Sequence, residues 1–167
     1  MASSLRLRRP WAPAIAAVVC VACTSIDPDA SLVLRCPDAV EFERVAPFVE
    51  SSCGTLDCHG QLARPMRVYG ERGLRLSSGD VAGGEATTPQ ERDATLRSLC
   101  ALEPERTAKA LAGQLAAEEL LVVGKGRGEV EHKGGQLMVP GDDADRCMTS
   151  WLSGAADLVA CDRVAVP

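Results

Sequence analysis

Beyond its first 23 residues this chain keeps six cysteines, at positions 36, 53, 58, 100, 147 and 161, and what they bond to limits every fold it can adopt. The N-terminus indicates which chemistry is open to them. Arg6, Arg8 and Arg9 precede an apolar run from Trp11 to Ala22, broken once by Pro13 and followed by small residues. That order of charge, apolar stretch and small residues is the order of a secretory signal peptide, here residues 1–22. The run is too short to span a bilayer, which takes about 20 apolar residues. Export delivers the thiols to an oxidising compartment, where disulfides form and persist.

Val21-Ala22-Cys23 resembles the lipobox of bacterial lipoproteins, with Cys20 where that box usually carries Leu. The expectation is therefore lipidation of Cys23, a lipid-anchored tether over residues 23–35, and a single domain over 36–167 on the periplasmic or cell-surface face of a bacterial membrane. The membrane would be met through Cys23. Removing residues 1–22 takes away three arginines and no acids, so the formal charge moves from −5 to −8. No basic patch is left, which argues against nucleic acid as a partner. The shortened chain is long enough for one hydrophobic core and too short for two.

Cys53-Gly-Thr-Leu-Asp-Cys58-His59-Gly60 carries the most specific chemistry. Two thiols followed at once by an imidazole is the arrangement that attaches a c-type haem: the sulfurs form thioethers and the histidine ligates the iron from one side. The spacer between the cysteines has four residues here instead of two. On the alternative reading Cys53 and Cys58 form a short disulfide and His59 is an ordinary loop residue. A haem needs a second axial ligand or an open position, and the sequence offers His132, with Met138 as runner-up and Met66 behind it. His132 is the only other histidine and lies in Gly124 to Gly135, a stretch with five glycines that can approach a ligand closely or simply be a mobile loop. Met138 lies in Gln-Leu-Met-Val, where packing suffices to explain an apolar side chain. A copper or zinc site from Cys53, Cys58 and His132 is the third option; adjacent Cys58 and His59 fit one metal poorly. Beyond the signal, Phe42, Phe48, Tyr69 and Trp151 are the only large aromatics, an area deficit that a porphyrin would fill.

The predicted elements are helical. Glu41 to Ser52 places Phe42, Val45, Phe48 and Val49 on one face, with Pro47 expected to kink it, and delivers the Cys-Cys-His stretch directly after its end. Gly60 to Arg75 reads as irregular chain or short strands, and Ser77 to Glu85 as a loop. Thr88-Pro89-Gln90-Glu91 opens a helix to Leu102 through a capping box. A short helix follows from Pro104 to Ala112, stopped by Gly113, and the Leu120–Val123 run is of undecided type. Asp142 caps a last helix that carries Ala144, Cys147, Met148, Trp151 and Leu152 on a stripe and ends at Gly154. Cys36, Cys100, Cys147 and Cys161 are expected to make two disulfides, paired 36–161 to tie the domain ends and 100–147 to join two helices.

Phe42-Glu-Arg-Val-Ala-Pro-Phe-Val-Glu-Ser-Ser-Cys53, Cys58-His59-Gly60, Leu74-Arg-Leu76, the Gly83-Gly84 pair and Trp151-Leu152-x-Gly154 together resemble the cytochrome c-like domains of exported planctomycete and myxobacterial proteins. The resemblance covers residues 41 to 154. It implies a mainly α, cytochrome c-like fold with long irregular loops, disulfide-stapled in this chain, and haem c held by Cys53, Cys58 and His59. No nucleophile–base pair is evident, so the chain reads as an electron carrier or redox sensor with a redox protein partner, not an enzyme. The alternative is a haem-free, disulfide-stapled lipoprotein with a binding or structural role.

Overall fold

Asp38 starts the first helix by a local hydrogen-bond device. Its carboxylate accepts from the amides of Val40 and Glu41, both at 2.8 Å, satisfying donors that a helix start leaves unpaired. In the computed structural model, which describes residues 34–164, α1 then runs Ala39–Cys53 and passes through Pro47 without interruption. The expected signal peptide and the expected lipidation site, Cys23, lie outside the described residues. No helix among those described is long and apolar enough to cross a membrane.

Five more α-helices follow: α2 (Pro89–Cys100), α3 (Pro104–Leu111), α4 (Leu121–Gly126), α5 (Asp143–Leu152) and α6 (Leu158–Val164), with a 3₁₀ turn over Ala117–Glu119. No strand forms among the described residues; the Gly60–Arg75 region is irregular apart from one bridge between Tyr69 and Leu74. The fold is mainly α, and α1 packs on α2, α5 and α6 around one core. The predicted capping box is present, with Glu91 N–H donating to Thr88 Oγ1 and Thr88 N–H to the Glu91 carboxylate. Asp142 caps α5 by accepting from the Asp145 amide, and Gly154 follows the helix end with φ +91°.

Phe42 and Trp151, each 1% exposed or less, pack with ring centroids 5.1 Å apart at the centre of the core. Each such side chain contributes roughly 1.5–3 kcal/mol on burial. Two buried ion pairs brace the flanks. Arg75 forks onto Glu91, at 2.8 and 3.1 Å, and Arg127 onto Asp145, at 2.7 and 2.9 Å. Burial alone would raise the Glu91 pKa, but the Arg75 guanidinium and the amides of Thr88 and Leu76 outweigh it and hold the carboxyl at about 2.

Two expectations are corrected. The disulfides are Cys36–Cys100 and Cys147–Cys161, with Cα–Cα distances of 5.6 and 4.7 Å, and not 36–161 and 100–147. A short turn folds α6 back onto α5 and sets Cys161 beside Cys147, which leaves the α2 C-terminus for Cys36. Gly124 and Gly126 belong to α4, so the glycine-rich loop begins later than the composition implies. Gly126 leaves room there for Met138: a β-carbon would meet its terminal methyl, the flexible end of that side chain.

Candidate functional site

The C-terminus of α1 feeds directly into the Cys-Cys-His stretch, and the four-residue spacer closes into a compact turn. Cys58 N–H and Gly60 N–H both donate to the Thr55 carbonyl, at 2.9 and 3.0 Å, while His59 N–H donates to the carbonyl of Cys53 itself, at 2.9 Å. The histidine is thereby tied to the first cysteine across the spacer. Gly60 and Gly73 cross against the Gly54 carbonyl so closely that a β-carbon on either would overlap its oxygen. This backbone crossing seats the turn, and the side chains of Gln61 and Arg64 brace it by donating to the Leu56 and Cys58 carbonyls, at 2.9 and 3.0 Å.

Cys53, Cys58 and His59 line one cavity of about 360 Å³, and His132 lines it too. The two other cavities of note are far smaller, at about 10 and 20 Å³. The imidazoles of His59 and His132 lie nearly parallel, with centroids 5.9 Å apart and planes inclined by 24°. His59 Nδ1 sits 3.0 Å from the Met66 carbonyl. Since a carbonyl only accepts, Nδ1 carries a proton, and in the neutral ring Nε2 keeps the lone pair, the arrangement in which a backbone carbonyl orients a ligating histidine. His132 Nδ1 is buried and has no hydrogen-bond partner. Burial, then the neighbouring His59 ring and the Lys125 ammonium, push the His132 pKa down, so the ring is neutral at pH 7, the form that ligates.

Cys53 and Cys58 are free thiols, whereas the other four described cysteines are bonded. Burial, then the neighbouring Cys58, pushes the Cys53 thiol up to about 12, which keeps it un-ionised in the metal-free chain. Among the described residues no three His, Cys, Asp or Glu side chains converge as a metal-holding group. Met138 is 2% exposed, packs on Gly126 and lines the adjoining 20 Å³ void, not the large cavity. Met66 lines both cavities, and the role its sequence position conceals belongs to its backbone carbonyl. Lys125, Arg64 and Lys133 at the same cavity were not singled out by sequence reasoning. Lys125 lies in the turn of α4, where charge alone gives no sign of what it faces.

Donor set and space suit haem c: two unbonded thiols, an oriented imidazole next to one of them, a second neutral imidazole with an orphaned buried nitrogen, and a volume within the range of about 300–1,000 Å³ found for ligand pockets. The chain matches no protein-family model, no curated protein and no solved structure.

Proposed function

We propose that this chain is an exported, lipid-anchored c-type haem protein with a cytochrome c-like domain, serving electron transfer or redox sensing at the cell envelope. The observation that carries the reading is the placement of His59 and His132 5.9 Å apart on a cavity that the free thiols Cys53 and Cys58 also line. When bound, haem c supplies a one-electron iron couple. Cys53 and Cys58 would provide the two sulfurs for covalent attachment. His59 would present Nε2, its Nδ1–H being engaged by the Met66 carbonyl, and His132 would be the second ligand. Leu102, Val122 and Leu137 supply apolar wall to the cavity.

Protein exported in a strain able to attach haem, then denatured, should keep a covalent haem spectrum. The double variant Cys53→Ala, Cys58→Ala should lose it. In the folded protein His132→Ala should change the axial-ligand spectrum and leave attachment intact, and Met138→Ala should not. Complete absence of haem from wild-type protein matured beside a working attachment system rejects the proposal and leaves the haem-free lipoprotein.

A further inference from the structure

The cavity has an apolar interior and a cationic edge whose charges are unmatched. Arginines on the helices, Arg44, Arg92, Arg97, Arg106 and Arg146, each lie within ion-pair distance of a carboxylate. Arg64, Lys125 and Lys133 at the cavity do not take part in any ion pair among the described residues. The hydrogen bonds of Arg64 and Lys125 go to backbone carbonyls, from Arg64 Nε to Cys58 at 3.0 Å and from Lys125 Nζ to Glu131 at 3.1 Å. These bonds hold the side chains in place and leave their charges uncompensated. Asp57 and Glu131 share the rim but are exposed and pair with neither lysine. Lys109, Arg67 and Arg72 also stand outside the ion pairs, but only at this cavity do three such cations gather, Arg64 and Lys125 half-buried and Lys133 exposed, and there they mark where an anionic group is expected.

We infer that Lys125 and Lys133, supported by Arg64, receive the carboxylate edge of a flat, apolar dicarboxylate seated in this cavity. Under the function proposed above these carboxylates are the haem propionates, so the ligand's identity rests on that reading, while the rim's preference for carboxylate does not. Lys125, one turn from Val122 on α4, and Lys133, next to His132, bring the two positive charges to the cavity from separate segments of the chain.

Two measurements on the full chain test this. Haem-free protein with its disulfides intact is titrated with protoporphyrin IX and with its dimethyl ester, followed by fluorescence. The free acid should bind roughly tenfold tighter than the ester, and Lys125→Gln with Lys133→Gln should remove that preference, whereas Lys109→Gln on the exposed side of α3 should not. In haem-loaded protein, the propionate bending bands of the resonance Raman spectrum should shift in the Lys125→Gln, Lys133→Gln variant and stay fixed in Lys109→Gln. Equal binding of acid and ester, or a Lys109→Gln effect as large as that of the rim variant, overturns the inference. Absence of covalent haem from matured wild type rejects the functional reading alone, and the porphyrin pair still decides the rim.

Discussion

Trp151 Nε1–H donates to the Asp38 carbonyl at 3.1 Å, so the tryptophan at the C-terminal end of α5 holds the start of α1, 113 residues away in sequence. The same carbonyl accepts the Phe42 amide, the first bond of α1. Trp151→Phe keeps most of the apolar volume and loses the hydrogen bond, and should lower unfolding stability by about 1–2 kcal/mol. Trp151→Ala should cost about 3–5 kcal/mol. Chemical denaturation reads both, and a Trp151→Phe variant as stable as wild type would mean that the bond contributes nothing beyond packing.

Glu91 gives the fold a defined acid limit. Its folded pKa, about 2, lies below the 4.5 of an unperturbed glutamate, so its stabilisation is fully present above pH 4.5 and disappears as the pH falls towards 2. Glu91→Gln should flatten the stability curve in that window. It should also destabilise the protein by about 3 kcal/mol at pH 7, because Arg75 keeps its charge in a buried position. A variant whose stability falls between pH 4.5 and 2 as steeply as wild type would contradict this.

Non-reducing peptide mapping should recover Cys36 with Cys100 and Cys147 with Cys161. In the chain-entropy picture the longer loop contributes about 4 kcal/mol and the shorter about 3. Replacing Cys36 and Cys100 by Ser should therefore cost at least as much as replacing Cys147 and Cys161. Recovery of a 36–161 peptide would refute the arrangement.

Gly73 and Gly126 should respond very differently to alanine. At Gly73 a methyl would strike the Gly54 carbonyl, which is backbone and cannot yield; at Gly126 it would strike the flexible end of Met138. Gly73→Ala should displace the Cys58–His59 turn and cost 3 kcal/mol or more, by roughly the upper end of overpacking penalties. Gly126→Ala should stay within about 1–2 kcal/mol. Thermal melts compare them directly, and similar Tm losses would show that the backbone crossing is not rigid.

Radiolabelled palmitate should enter the wild-type protein and not Cys23→Ser. Label in both, or in neither, would place the acyl chain elsewhere or remove it from the account.

Much of the helical skeleton was legible in the sequence because its ends carry local chemistry. Thr88 and Glu91 satisfy each other's backbone donors within four residues, and Asp142 does the same for Asp145, so no distant contact is needed to place α2 or α5. α4 was hidden because Gly124 and Gly126 oppose helix formation by about 1 kcal/mol each, and the closeness of Met138 that calls for a small residue is a tertiary fact. α6 went unread although Asp157 accepts from the Ala160 amide at 3.0 Å, a cap that the order Asp157, Leu158, Cys161 could have suggested. The disulfide partners are set by how α5 and α6 turn on each other, which spacing alone does not encode. For the site, the residue types were visible, but that His59 and His132 share a cavity depends on the 72 residues between them folding back.

The turn from Cys53 to Gly60 bears on how such stretches are searched for. A pattern that counts residues between two cysteines treats sequence separation as a measure of distance. Here the His59 amide reaches back to the Cys53 carbonyl, so the added residues loop outward and the ends stay joined. Recognition by closure, asking whether the backbone after the second cysteine returns to the first, would accept spacers of several lengths that a fixed count discards.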